Sequence, residues 1–298
     1  MHVEPTPNIA FPRLVRSRSF LGDADIPVRV FSLSQSDLRV HRHDFTELVI
    51  VLDGSGDHLF DEHQFPIVPG DAFVIDVHHA HGYRNTRGLQ IVNVLFDEGF
   101  LLEREPSLAA MPSYQAFVHL EPRARRRLDF TGKLRLASVV MEETRALVRR
   151  LEHELSVRAE GYVAASVSLL VELVVLLCRA YSDTEGEGHR DLTDIGRVIG
   201  YLESRYAERI ELAHLRDVVA MSERTLLRKF SLATGTTPIQ YLLRVRVAHA
   251  ARLLRATGLP VTEIAGAVGF DDSNYFTRQF RQVIGMSPTA YRRGAASS

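Results

Sequence analysis

Residues 235–241 read GTTPIQY, and residues 285–291 read GMSPTAY. Each stretch has a Gly, a Pro three positions on and a Tyr three positions after that, and the two stand 50 positions apart. The likeness runs upstream. Leu226-x-Arg228-x-Phe230 matches Phe276-x-Arg278-x-Phe280 at the same offset, and Val219-Ala220-Met221-Ser222 matches Val268-Gly269-Phe270-Asp271 at an offset of 49. Apolar spacing gives each copy a short helix, a tight turn and a second helix that stops at Gly235 or Gly285. Ser222, and Asp271 or Asp272, suit the N-cap, where a side-chain oxygen accepts from a free N–H of the first turn. Pro238 and Pro288 then open the following helix, where a missing N–H costs least. The pattern is a helix-turn-helix built twice, joined by a long helix from about Ile239 to Arg255. Two such units can place two reading helices in successive major grooves, roughly 34 Å apart.

The rest of the chain fits that beginning. With 298 residues, 45% of them hydrophobic, two domains with packed cores are expected. Cys178 is the one cysteine, so no internal disulfide can form, which suits a reducing compartment. The N-terminus lacks a basic start followed by an apolar run, the mark of a signal peptide. The apolar run from Val163 to Cys178 is broken by Ser166, Ser168 and Glu172 and is shorter than the roughly 20 residues a bilayer span needs. It reads as a buried helix, and the protein as soluble and cytoplasmic with no membrane partner. Net charge is −1, but from Asp191 onward there are 15 Lys+Arg against 10 Asp+Glu, leaving 21 against 27 in the remainder. A basic C-terminal third on an acidic body suggests that a polyanion meets that third.

The polar stretch SDTEGEGHRD reads as a linker, dividing the chain into 1–182, 183–190 and 191–298. Before it, ELVIVLDGSG, HLF, FPIVPGDAFVID and LQIVNVLF read as closely spaced short strands of a barrel or sandwich, punctuated by Gly54, Gly56, Pro69 and Gly70. From about Leu134 to Tyr181 the period turns helical. Val163, Val167, Leu170, Val174 and Leu177 form a heptad-like seam, with Leu169, Leu173 and Leu176 as a second stripe. A helix with two apolar stripes can pack on its own domain and on a partner subunit at once, or lie simply buried within one domain. Pairing predicts that charged residues at Leu170 and Leu177 give monomers. The fold class expected is α+β, with a barrel and dimerisation helices followed by an all-α domain.

From about Asp191 to Arg293 the sequence resembles the DNA-binding domain of AraC/XylS-type bacterial transcription activators. EIAGAVGFDDSNYFTRQFRQVIGMSPTAYRR follows the family signature nearly throughout, and MSERTLLRKFSLATGTTPIQYLLRVRVAHAARLL matches well. Arg216 stands where the family usually has Ala, and Ala220 where the turn usually has Gly, which predicts slight backbone strain at the turn. The resemblance implies a sequence-specific DNA-binding regulator that is a homodimer, responds to a small-molecule effector and works with RNA polymerase. Activation is implied, with repression left open. Arg224 and Arg228 lie four apart on the first reading helix with Leu227 beside them; Asn274 and Arg278 are four apart on the second. Arg suits guanine, Asn adenine and Leu a thymine methyl, while a phosphate contact is the alternative for each Arg. Thr225, Ser273 and Thr277 complete the candidate set, and Arg244 and Arg246 are candidates for phosphate.

In HRHDFTELVIVLDG, His41, His43 and Glu47 share parity, so on a strand they face one way. His81 follows in GDAFVIDVHHAHGYRN. H-x-H-x3-E-x6-G with a later His resembles the two cupin motifs, whose fold is a small double-stranded β barrel. His41, His43, Glu47 and His81 suit a divalent first-row metal such as Zn, Ni, Mn or Fe. The same residues, with Tyr83, His78 and His79, suit a hydroxylated organic effector. The stretch from His43 through LQIVNVLF also resembles rhamnose-responsive members of the family, in which a sugar enters the barrel. The rival reading is a metal-dependent cupin enzyme with a regulatory DNA-binding tail, although no other catalytic constellation stands out.

Overall fold

The computed structural model describes residues 13–15, 25–125 and 133–295. The chain divides into two compact units, Met1–Leu108 with Ala116–Arg190, and Ala109–Gln115 with Asp191–Ser298.

The first unit is built on an eight-stranded sheet: β1 (Arg13–Val15), β2 (Val28–Ser34), β3 (Leu38–His43), β4 (Thr46–Phe60), β5 (His63–Ile67), β6 (Asp71–Ile75), β7 (His81–Phe96) and β8 (Leu134–Arg135). The two long strands pair along their length and each takes different neighbours at its two ends. β7 pairs β3 through its first residues and β2 through its last, while β4 pairs β6 through its first residues and β5 through its last. The short strands expected on either side of Gly54 and Gly56 are therefore one strand, bent rather than ended. The register slips between Val51 and Asp57, and Gly54 has φ +75 with no room for a side chain: a Cβ there would stand 2.2 Å from the Gly88 carbonyl oxygen. Two strand backbones meet at the bend, which is the use of Gly in a strand interior. Bent in this way, the sheet wraps an apolar cluster of Val49, Val51, Phe60, Ile67, Phe73, Ile75, Tyr83, Leu89 and Ile91.

Helical turns follow β7: α1 (Glu98–Arg104), α2 (Ser107–Ala110), α3 (Pro112–Tyr114), a π-helical turn Gln115–Leu120, and α4 (Glu121–Ala124). Sequence patterning assigns no element to this stretch. After β8 come two long helices, α5 (Ser138–Val157) and α6 (Tyr162–Ser182), which pack on each other. α6 is long and apolar enough to cross a membrane by length and composition, yet Leu169, Leu170, Leu173, Val174, Leu177 and Cys178 are buried in the unit itself. Leu170 and Leu177 are 0% exposed. This overturns the expectation that charging them would separate paired subunits into folded monomers. Periodicity shows an apolar stripe, and here the stripe is intramolecular core. Val163 and Val167, at the start of the stripe, are only half buried.

The helix α7 (Glu187–Ser204) begins inside the stretch expected as linker, so 183–186 alone is non-helical there. Then follow α8 (Leu212–Val219), α9 (Glu223–Thr234), α10 (Pro238–Ala256), α11 (Val261–Ala267), α12 (Ser273–Ile284) and α13 (Pro288–Ala295). The caps fall as expected. Ser222 accepts from the Thr225 N–H at 3.2 Å, Asp272 accepts from those of Asn274 and Tyr275, and Gly235 and Gly285 are left-handed at the helix ends. The two corners close alike: the Tyr241 ring meets Phe230 edge-on at 5.8 Å, and the Tyr291 ring meets Phe280 edge-on at 5.6 Å. Their hydroxyls differ, since Tyr241 donates to Glu203 and Tyr291 accepts from Arg255.

The first turn is strained, as its missing glycine predicted. Ala220 has φ +49, whereas its counterpart Gly269 has φ +87. A left-handed non-glycine residue costs roughly 1–2 kcal/mol, partly offset because alanine restricts the unfolded chain more than glycine does. Ala220→Gly is expected to stabilise the chain by about 0.5–1 kcal/mol, read as a higher melting temperature. A lower one would mean that the turn does not carry this strain.

Candidate functional site

Strand alternation assembles the first candidate site. On β4, Glu47 lies opposite Leu95 and Val49 opposite Asn93, while His58 lies opposite Tyr83 and Phe60 opposite His81. On β3, His41 lies opposite His81, with His43 two residues on. Val49, Phe60 and Tyr83 belong to the apolar cluster inside the sheet, and the register slip between Val51 and Asp57 changes the inward parity of β4 from odd to even, which brings His58 to the Phe73 and Tyr83 rings.

His43, Glu47 and His81 are 1%, 4% and 1% exposed. His43 Nε2 is 3.2 Å from a Glu47 carboxylate oxygen, and His81 Nε2 is 3.6 Å from the same oxygen. One ligand atom from each of the three lies within 4.8 Å of the others. The tautomers follow from backbone contacts. A carbonyl only accepts, so His43 Nδ1 donates to that of Phe45 at 2.7 Å and His41 Nδ1 to that of Arg39 at 3.2 Å, which turns each Nε2 away from its own backbone contact. His41 stands beside the trio, its ring centroid 4.3 Å from that of His81. Burial, helped by the surrounding positive groups, holds the imidazoles of His81 and His58 well below their usual range, so both are neutral. Burial likewise pushes the Tyr83 hydroxyl well up.

His58 and Asn93 escape the sequence reading, although their parity with Phe60 and Ile91 carried the signal. His43 Nε2, His58 Nε2, both ring nitrogens of His81, the Tyr83 hydroxyl and Asn93 Oδ1 are buried without a hydrogen-bond partner among the described residues. Each such group costs about 1–3 kcal/mol if left unpaired. So many together mark a place for a guest or for water. His79 is committed elsewhere: its Nδ1 bonds to Asp76 and its ring stacks on Phe60 at 4.6 Å, while His78 is exposed.

The second candidate site is the outward face of α9 and α12. Leu226, Phe230, Phe276 and Phe280 are buried, which turns Arg224, Arg228, Asn274 and Arg278 to solvent. Leu227, Ser273, Thr225 and Thr277 are half buried. The Thr225 hydroxyl shares a 2.8 Å hydrogen bond with the capping Ser222 hydroxyl, and that of Thr277 donates to the Ser273 carbonyl at 2.9 Å, so both are partly committed to their own helix. The Arg278 guanidinium lies over the Tyr275 ring, 5.8 Å from its centroid. Arg246 does not present itself for phosphate. It donates to the carbonyls of Tyr206 and Glu208 at 2.7 and 2.8 Å and satisfies the chain beyond α7. Arg244 remains exposed.

Comparison with known proteins matches both units. A family described as "AraC-like ligand binding domain" matches residues 31–161, and one described as "Helix-turn-helix domain" matches residues 215–294. The chain is 31% identical to the HTH-type transcriptional activator RhaS of Enterobacter sp., over 96% of this chain and 99% of that one. It is 29% identical to RhaS of Pectobacterium atrosepticum, over 95% and 98% of the two chains, and 30% identical to RhaS of Escherichia coli K12, over 92% and 94%.

Proposed function

This chain belongs to the AraC family of transcriptional regulators, and from that premise we propose that it is a cytoplasmic, ligand-gated activator, possessing no enzymatic activity of its own. The observation that carries the reading is the pairing, within one chain, of a sheet interior holding six buried polar atoms without a hydrogen-bond partner among the described residues with a duplicated helix-turn-helix whose arginines point outward. Arg224, Leu227, Arg228, Asn274 and Arg278 read bases, with Thr225, Ser273 and Thr277 supporting them and Arg244 on phosphate. The effector, a sugar or similar hydroxylated molecule, binds among His41, His43, Glu47, His81 and Tyr83. Its unequal affinity for two arrangements of the chain shifts their populations. Two copies and RNA polymerase complete the working assembly. Activation is the function named for relatives matched along nearly their whole length, and it supports this reading over the cupin enzyme.

The trio also fits a divalent metal ion. His43, His81 and Glu47 form a two-histidine, one-carboxylate set, with the His43 ring oriented by the Phe45 carbonyl and His41 placed to add a fourth ligand. A bound ion would be held by these side chains and would polarise an effector hydroxyl.

The test is to map the DNA bound by the chain in cells, then follow binding and transcription from those sites as a panel of sugars is added. The expected result is specific binding, a response to at least one sugar, and loss of that response in His43→Ala with DNA binding kept. Absence of specific DNA binding would end the regulator reading. An unchanged response in His43→Ala would place the effector elsewhere. Melting the chain with Zn, Ni or Mn chloride alone tests the metal, with stabilisation expected and its absence counting against an ion.

A further inference from the structure

The bonds that hold Arg246 away from phosphate lead on to the second reading helix. Arg246 is half buried on α10. Beyond its bonds to the Tyr206 and Glu208 carbonyls, its guanidinium lies over the Phe270 ring, 5.6 Å from the centroid. The Phe270 ring is 6.0 Å from that of Tyr275, and the Tyr275 ring lies under the Arg278 guanidinium. Two arginines thus bracket two rings in one row, which runs from the chain after α7 to an outward residue of α12.

The inner end of that row is fixed. The Tyr206 ring stacks on that of His249 at 3.7 Å and packs against the core of the second helix-turn-helix. Ala207 closes on the turn itself: a Cβ at Gly269 would stand 2.7 Å from the Ala207 carbonyl oxygen. Glycine is needed there for that approach as well as for its φ of +87. Phe270 is 5% exposed, and its ring also meets that of Phe276 at 5.1 Å. An arginine with two carbonyl bonds and a ring against its face has little rotamer freedom left. Its plane therefore limits how Phe270 can tilt, and Phe270 in turn backs Tyr275 in the first turn of α12.

The first helix-turn-helix lacks this row. Met221 stands where the second has Phe270, and Thr225 where it has Tyr275. Neither ring is present for Arg228, the counterpart of Arg278.

Resting on the base-reading role proposed for Arg278, we infer that Arg246 is a positioning residue for it, acting through Phe270 and Tyr275 to hold the second reading head in the geometry that discriminates bases, a support the first head does not have.

The test selects duplexes from a random-sequence library with the full chain and reads base preference pair by pair for each variant. Arg278→Ala marks the pair that Arg278 reads. Arg246→Lys keeps a cation but loses the flat fork, and Tyr275→Leu removes the ring. Each is expected to lower the preference at the marked pair on the order of 2- to 5-fold, the scale of a cation–π contact, with the pairs read by the first head unchanged. Tyr275→Phe, which keeps the ring, is expected to match the wild-type chain. In an Arg278→Ala background, Tyr275→Leu lowers the preference no further. Should Arg246→Lys fail to fold, Phe270→Leu breaks the row one ring further on. Equal losses across the whole site would overturn the inference and make Arg246 a support of the fold alone. An unchanged preference at the marked pair would overturn it too, with Arg278 still reading its base. If Arg278→Ala alters no single pair, the base-reading role falls and this inference falls with it.

Discussion

Leu170→Glu is expected to leave no stably folded first unit. Leu170 is fully buried on α6 beside Leu169, Leu173 and Val174. Truncating a buried leucine alone costs about 2–5 kcal/mol, and a carboxyl group forced into that place adds a desolvation penalty or must stay protonated. Together these reach the whole stability of an ordinary domain, roughly 5–15 kcal/mol. The measurement is circular dichroism and soluble yield, with aggregation or loss of the cooperative melt expected. Val163→Glu is the informative contrast, because Val163 is only half buried. If the start of α6 joins two copies, this variant sediments as a folded monomer. A folded, monomeric Leu170→Glu would contradict the burial described above and restore the seam expected from the heptad spacing.

Arg278→Ala is expected to weaken binding to a cognate site by about 1–3 kcal/mol, on the order of 10- to 100-fold, and to relax the preference at one base pair. Arg278 is exposed and lies one turn from Asn274 on α12, with its guanidinium set over Tyr275. That stacking limits its rotamers, and a restrained arginine loses less entropy on meeting guanine. The comparison that decides is binding to cognate and random duplexes at several salt concentrations. Equal losses on both, with a salt slope reduced by about one, would make Arg278 a phosphate contact.

The helical unit was largely legible in advance because its signals are local. Ser222, Asp272, Gly235, Gly285, Pro238 and Pro288 each set a boundary through their own backbone chemistry. The histidines of the sheet are legible only in part, since parity puts His41 and His43 on one face of β3, whereas Glu47 lies on β4 beyond a bend and meets His43 across it. What escaped was set by distant contacts. Gly54 reads as a break, but its lack of a side chain serves the close approach of Gly88. The stripe on α6 shows that something apolar covers it without showing what. Arg125 looks like a surface charge in EPRARRR; its partner Glu121 stands four residues before it, but only the fold supplies the rings of Phe60 and Phe73 and the burial. Arg246 looked free for phosphate until the carbonyls after α7 claimed it.

The paired corners are alike in ring packing but opposite in the partners of their hydroxyls, so the two units are not chemically equivalent. The outward residues differ too: arginine, leucine, arginine in one, and asparagine, threonine, arginine in the other. On the proposed reading, a chain whose two heads differ reads a sequence with a beginning and an end. Turned around, the same base pairs would meet the wrong head. Bound at a promoter, the protein would then point like an arrow, and the strand on which its target is written would decide which neighbouring gene it addresses.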